Sequence, residues 1–117
     1  MTEPTRIFHN PRCSKSRRAL ELLTERGIEP EIIRYLETPP TEQELSEILD
    51  ALGRQPRELM RTGETEYKEL GLDNPALRRE QLIAAMVATP KLIERPIVLA
   101  NGKAAVGRPP ENILTIL

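Results

Sequence analysis

The residues with the most chemistry to offer crowd into positions 7 to 18, Ile-Phe-His-Asn-Pro-Arg-Cys-Ser-Lys-Ser-Arg-Arg, which hold the chain's single cysteine and single histidine. A thiol becomes a strong nucleophile when it ionises, and two features of this stretch favour ionisation at Cys13. Thr5 to Phe8 ends in an apolar run suited to a buried strand, Asn10-Pro11 breaks it, and the residues from Ser14 onward have helical spacing, so Cys13 caps or opens a helix. The first N–H groups of a helix have no internal partner, and the aligned peptide dipoles place roughly half a positive charge there. Arg12, Lys15, Arg17 and Arg18 add cationic charge, which is expected to lower the thiol pKa further and to attract anions. A lone cysteine acting as a small buried hydrophobe is the competing account, and basic residues on both sides argue against it.

The neighbours of Cys13 carry less decisive signals. His9 could lower the thiol pKa or orient the loop through a hydrogen bond, and a purely structural loop histidine fits equally well. Ser16 could donate a hydrogen bond to a thiolate or simply occupy a first helical turn. Arg17 and Arg18 also fit solvated helix charges.

Positioning such a site requires a folded domain, and 117 residues suffice for a single domain, residues 1–117, with its own core. Lys plus Arg number 17 and Asp plus Glu 18, a net charge of -1, so no global field draws the chain to nucleic acid or to a membrane surface. One cysteine cannot form an internal disulfide, no apolar run near Met1 reads as a signal peptide or membrane span, and a cytoplasmic monomer is expected. One histidine and one cysteine are too few for a zinc site, and no acidic cluster has calcium-loop spacing, so no metal is predicted.

Taken in order, residues 14 to about 26 place Ala19, Leu20, Leu22 and Leu23 on one side of a helix that Gly27 stops. Residues 28–36, with Ile28, Ile32, Ile33, Tyr35 and Leu36, read as a second strand, completing a right-handed βαβ unit. Thr38-Pro39-Pro40 breaks the chain, and Thr41 with Glu44 forms a capping box ahead of Leu45, Ile48, Leu49 and Leu52, closed by Gly53. Pro56 starts a short helix through about Arg61, another turn of helix centres on Tyr67 to Leu70, and Leu82, Ile83, Met86 and Val87 mark a further helix ended by Pro90. Met60 and Met86 sit at apolar helical positions and are assigned to the core. Residues from about 38 to 92 therefore form a helical insertion.

The last third returns to strands. Pro96 to Ala100 and Lys103 to Gly107 flank Asn101-Gly102, the strongest short hairpin signal, and Glu111 to Leu117 closes with a short helix. The whole order, βαβ, helical insertion, then ββα, predicts an α/β thioredoxin-like fold on a mixed four-stranded sheet. With Asn101 and Gly102 as turn residues, position 98 pairs with 105 and 96 with 107, which brings Arg95 opposite Arg108. Each arginine precedes a proline, which holds its backbone extended. Like charges directly opposite on a sheet repel, so the pair calls for wide solvation or a shared anion.

These residues resemble the glutaredoxin-linked arsenate reductases over nearly the full chain, through His9-Asn10-Pro11-Arg12-Cys13-Ser14-Lys15-Ser16-Arg17, Tyr35-Leu36-Glu37-Thr38-Pro39-Pro40, Glu69-Leu70-Gly71-Leu72, Arg95-Pro96-Ile97-Val98 and Gly107-Arg108-Pro109. The resemblance implies that Cys13 attacks arsenate while Arg61, Arg95 and Arg108 bind and polarise the oxyanion, with His9, Ser16, Arg17 and Pro96 in support, and Pro96 cis. It also implies glutathione as co-substrate, glutaredoxin as the protein partner that resolves the mixed species, and no bound cofactor. Plasmid-type members often have Gly-Thr where this chain has Ser14-Lys15. The related Spx transcription regulators, non-enzymatic thiol-responsive modules, are the alternative class. They usually carry Cys-x-x-Cys, and Ser16 stands at the second cysteine's place here. The phosphatase-like arsenate reductases need an arginine where this chain has Ala19.

An anion shared by Arg95 and Arg108 should stabilise the folded chain. At a hundredfold excess over Kd the gain is about 2.7 kcal/mol, several degrees of melting temperature for a domain of this size. Sulfate should therefore raise the melting temperature above a chloride control of matched ionic strength, and Arg95→Ala should lose most of that rise. Equal shifts in the two proteins would show that the hairpin arginines hold no anion.

Overall fold

A computed structural model describes residues 4–117. Along the chain run β1 (Arg6–Phe8), α1 (Ser14–Glu25), β2 (Glu31–Ile33), α2 (Glu42–Leu52), α3 (Pro56–Leu59), α4 (Thr65–Glu69), α5 (Arg79–Ala88), a 3-10 turn (Pro90–Leu92), β3 (Ile97–Ala100), β4 (Lys103–Val106) and a closing 3-10 helix (Pro110–Ile116). The contacts divide into two compact units, one running to Thr38 and resuming at Arg95, the other spanning Pro39–Glu94.

In the first unit the strands form a four-stranded sheet in the order β2-β1-β3-β4. β1 pairs parallel with β2 and antiparallel with β3, and β3 pairs antiparallel with β4. This is the predicted mixed sheet of thioredoxin-like type. Opposed directions bring the end of β1, the start of β3 and the end of β4 to one edge of the sheet, because Phe8 faces Ile97 and Ile97 faces Val106. The segments beyond those strand ends begin with His9, end with Arg95 and Pro96, and contain Arg108. Topology alone therefore gathers the cysteine loop and two of the arginines.

Hairpin register follows the turn chemistry. Ala100 pairs with Lys103 and Val98 with Ala105, and the Gly107 N–H donates to the Pro96 carbonyl at 2.8 Å. Asn101 and Gly102 have φ of 55° and 72°, the left-handed pair that a type I′ turn demands. α1 buries Ala19, Leu22 and Leu23 against Ile7 and Val98 of the sheet and Ile113 of the closing helix. It ends as Gly27 predicts: Gly27 N–H donates to Thr24 and Ile28 N–H to Leu23, a Schellman motif with Gly27 at φ 73°.

Two elements depart from expectation. The second strand covers only Glu31–Ile33, not residues 28–36. Ile28 is consumed by the helix stop, and a turn in which Glu37 and Thr38 N–H both donate to the Arg34 carbonyl ends the strand. Tyr35 is buried from that turn while Ile32 and Leu36 are exposed, so the apolar run mixes strand and turn positions. The closing helix is 3-10 and starts at Pro110, one residue before the predicted Glu111.

The second unit is helical. Thr41 Oγ1 accepts from the Glu44 N–H and Glu44 Oε1 from the Thr41 N–H, both at 3.1 Å, completing the predicted capping box. α5 packs on α2 and α3, burying Leu82, Ile83 and Met86. Arg79 ties the start of α5 to α2 by donating to Ser46 O and Asp50 Oδ1 at 3.1 and 2.9 Å. Met60 is buried as expected, but outside any helix: α3 stops at Leu59, and Met60 forms a one-residue antiparallel bridge to Ile93.

Gly107 has no room for a side chain. A Cβ there would lie 2.7 Å from Pro96 Cγ and 3.4 Å from Ile113 Cγ2. Neither a proline ring nor a buried isoleucine moves freely, so Gly107→Ala is expected to cost about 1–3 kcal/mol, seen as a melting temperature lower by several degrees. Gly63→Ala, where nothing lies within 4 Å, should melt like the parent protein; equal melting of the two variants would refute the steric account.

Candidate active site

The loop before α1 is built from short-range hydrogen bonds that leave Cys13 little freedom. His9 N–H donates to Ile33 O at 2.8 Å, extending the β1–β2 pairing past the strand end. Asn10 then turns the chain: its Oδ1 accepts from Arg12 N–H at 3.0 Å, and its carbonyl accepts from Cys13 N–H at 3.0 Å, with Pro11 supplying the fixed φ of the turn. Cys13 is the N-cap, in extended conformation, and its carbonyl accepts the first helical N–H from Arg17. Arg17 returns with its side chain, Nη1 donating to Pro11 O at 3.0 Å. Arg17 thereby ties the first turn of α1 back to the loop.

Ser16 is completely buried and its hydroxyl is engaged inward. Oγ lies 2.6 Å from His9 Nδ1 and accepts from Asn10 N–H at 3.0 Å. Of the roles open to His9, the structure shows the loop-orienting one. Burial holds the His9 pKa below its usual value, with the charges of Arg34 and Arg17 acting in the same direction, so His9 is neutral at pH 7. A neutral imidazole accepting at Nδ1 matches a hydroxyl that donates there while accepting from Asn10.

The Cys13 thiol has its pKa lowered from 9.0 although partial burial, the largest single influence, pushes it up. Against burial act the backbone N–H of Ser16, the charge of Arg95, the backbone N–H of Lys15 and a hydrogen bond from the Arg95 side chain. Sγ closes no conventional cap hydrogen bond, so the N–H groups act mainly as dipoles aimed at the anion. Two sequence expectations are corrected here. The side chains of Arg12, Lys15, Arg17 and Arg18 are not what lowers the pKa: Arg12 and Lys15 are exposed, Arg17 is turned back onto the Pro11 carbonyl, and Arg18 is occupied by Glu21 and Glu25 at 3.0 and 3.1 Å. Ser16 acts on the thiol through its main chain, not its hydroxyl.

Arg95 reaches Cys13 from the segment preceding β3, with its Nε and Nη1 buried. Arg108 lies within hydrogen-bond reach of it: Arg108 Nη1 donates to the Arg95 carbonyl at 3.4 Å. The pair that pairing arithmetic set face to face is therefore joined by a backbone acceptor, which the hairpin pattern could not reveal. Both arginines precede cis prolines, at Arg95-Pro96 and Arg108-Pro109; the first was implied by resemblance and the second was not foreseen. Arg61 belongs to the helical unit, where its guanidinium lies 2.8 Å from Glu64 and 3.9 Å from Glu94. Sequence reading passed over Asn10, Arg34 and Glu64. Glu64 had a visible signal, its i,i+3 spacing from Arg61. Among the described residues no group of three His, Cys, Asp or Glu could hold a metal ion, and no helix is long and apolar enough to cross a membrane.

A mixed sheet in the order β2-β1-β3-β4, with a cysteine capping the first helix and a cis proline leading into β3, defines a protein of the thioredoxin-like fold. The chain belongs to the ArsC family, whose signature spans residues 8–116. It is 59% identical over 113 residues to an arsenate reductase of Neisseria meningitidis, covering 96% of this chain and 97% of that one. An uncharacterised protein of Escherichia coli K12, YfgD, is 57% identical over 118 residues, with 100% and 99% covered. The solved structure of an arsenate reductase from Vibrio cholerae superposes with a TM-score of 0.95 at 50% identity, covering 100% of both chains.

The thiol makes a direct test possible. Its lowered pKa means that the folded protein releases the proton more readily than the unfolded chain. Folding stability should accordingly rise with pH across the window between that lowered value and 9.0, be fully present above 9.0, and be lost as pH falls through the folded-state value. Alkylation of Cys13 by iodoacetamide should show a midpoint below 9.0 in the native protein, moving upward in Arg95→Ala. A native midpoint at or above that of the unfolded chain would contradict the arrangement.

Proposed function

We propose that the protein reduces arsenate to arsenite, taking two electrons from glutathione and glutaredoxin. The observation that carries this reading is the Cys13 sulfur at the N-cap of α1, with the charge of Arg95 on it, in a chain 59% identical to a relative named arsenate reductase. In this reading Arg61, Arg95 and Arg108 bind the tetrahedral oxyanion through guanidinium forks, which neutralises charge that would otherwise repel an anionic nucleophile. His9, Ser16 and Arg17 hold the loop that presents the thiolate, and Pro96 shapes the segment that carries Arg95.

The Cys13 thiolate forms a bond to arsenic as one arsenate oxygen leaves, protonated, as water. Glutathione forms a second sulfur–arsenic bond with loss of another water. The thiolate of glutaredoxin then attacks the glutathione sulfur; the electrons of the sulfur–arsenic bond pass to arsenic, which falls from the +5 to the +3 state, and a mixed disulfide departs. Hydrolysis of the remaining Cys13–arsenic bond releases arsenite and restores the thiol. With one cysteine in the chain no internal disulfide can replace the external thiols. The proposal needs no bound cofactor, a monomer suffices for it, and a reducing compartment such as the cytoplasm suits it.

Coupled turnover with arsenate, glutathione, glutaredoxin and an NADPH-driven regeneration system tests the proposal. Arsenate-dependent NADPH consumption is expected, with loss to background in Cys13→Ser and no arsenite formed when thiols are omitted. Absence of turnover in the parent protein would reject the enzyme, and capture of RNA polymerase in its place would favour a binding module of the Spx type.

A further inference from the structure

The first turn of α1 is charged against its own dipole. α2, α3, α4 and α5 each carry an acid in the first turn, where the positive end of a helix favours one: Glu42 with Glu44, then Glu58, Glu66 and Glu80. α1 carries none there. Its second residue is Lys15, Arg12 stands just ahead of the cap, and the helix's acids, Glu21 and Glu25, fall in the half nearer its negative end. No acidic residue occurs from Pro4 to Leu20. Local partners account for two of the cations here: Arg17 holds the Pro11 carbonyl, and Arg18 is paired with Glu21 and Glu25. Arg12 and Lys15 are different. Both are exposed, and among the described residues no hydrogen bond or ion pair engages either side chain. The charge of neither side chain is among the influences that lower the Cys13 pKa.

Helix stability, surface pairing and thiol ionisation therefore leave two cations beside Cys13 without a purpose, and a residue that works against its own helix is the kind a functional site retains. An anion arriving from outside supplies the purpose. The oxyanion already has a cation at the sulfur, since Arg95 brings both its charge and a hydrogen bond there. Glutathione has no such provision. At neutral pH it carries two carboxylates against one ammonium, and its thiol has to approach an adduct that is itself anionic. Exposed, unpaired cations at the rim of a site act on an encounter of that kind. We infer that Arg12 and Lys15 recognise the carboxylates of glutathione as it approaches the Cys13 adduct. The inference rests on the reading of the protein as a glutathione-dependent reductase. Arginine offers a carboxylate a planar fork and lysine a mobile point charge, so the two side chains can follow a flexible tripeptide.

The test uses Arg12→Gln, Lys15→Gln, the double variant and, as a charge-matched control, Lys103→Gln. Lys103 is exposed beside the hairpin turn, at the opposite end of β3 and β4 from the Ile97–Val106 pair that adjoins the site. Lys15→Gln removes a cation from the positive end of α1, so its melting temperature should equal or exceed that of the parent protein. In coupled turnover the double variant should raise the glutathione KM about three- to tenfold. The arsenate KM, the glutaredoxin KM and the alkylation midpoint of Cys13 should stay at the parent values, and Lys103→Gln should change none of them. A second arm needs no arsenate. The Cys13 thiolate attacks one sulfur of a disulfide, forming a mixed disulfide and expelling the other half as a thiolate. The ratio of its rate constants with oxidised glutathione, an anion, and with neutral 2-hydroxyethyl disulfide should fall in the double variant by a factor similar to the rise in KM. At about 1 M salt, where screening acts within about 3 Å, parent and variant ratios should converge. An unchanged glutathione KM or an unchanged ratio would overturn the inference. So would an equal rise in the arsenate KM, which makes the pair a general anion collector, a rise confined to the glutaredoxin KM, which makes it a protein-docking surface, or a shifted alkylation midpoint, which makes it a tuner of the thiol. If the parent protein turns over no arsenate, the reductase reading falls and the ratio alone decides whether these side chains recognise glutathione.

Discussion

The first unit sets opposing influences on the ionisation of one sulfur atom, and their balance lowers its pKa. Partial burial of Cys13 works against the thiolate, and the opposing help comes from two sources of different origin. The Ser16 and Lys15 N–H dipoles exist because Cys13 caps α1 and leaves them unmatched inside the helix. The Arg95 charge arrives from the far end of the sequence, because the antiparallel pairing of β1 with β3 sets the start of β3 beside the end of β1. Without both the helix start and the strand order, burial alone would push the thiol pKa up.

Holding that geometry requires a polar cluster under the loop, and the cluster is satisfied. The Ser16 hydroxyl serves His9 and the Asn10 N–H at once, while the Asn10 side chain and carbonyl serve Arg12 and Cys13. A buried hydroxyl or imidazole without such partners would cost about 1–3 kcal/mol. His9 also contributes by being uncharged: burial, Arg34 and Arg17 all disfavour its imidazolium, so no buried cation has to be neutralised beneath the loop.

Both units hold their arginines through acids and through backbone carbonyls. In the helical unit Arg79 is paired with Asp50 and Arg61 with Glu64, and Arg57 donates to the Leu72 and Asn74 carbonyls; in the first unit Arg18 is paired with Glu21 and Glu25, and Arg108 donates to the Arg95 carbonyl.

Much of this was legible from residue order, for local reasons. The capping box at Thr41 and Glu44, the Schellman stop at Gly27 and the Asn101-Gly102 turn each depend on a few neighbouring residues, so their patterns survive folding unchanged. The helix start at Cys13 was equally local. The span of β2 was misread because apolarity at Ile28, Tyr35 and Leu36 reports three different fates, a helix stop, a buried turn and an exposed one, that share one residue type. What tertiary structure alone decided was partnership. The sequence puts Arg12, Lys15 and Arg17 next to the thiol, yet Arg12 and Lys15 are exposed and Arg17 is turned back onto the Pro11 carbonyl, while Arg95, distant in the chain, is brought onto the sulfur by the register of β1 against β3. Sequence proximity sets which groups are available; the direction in which backbone and burial aim them sets which ones act.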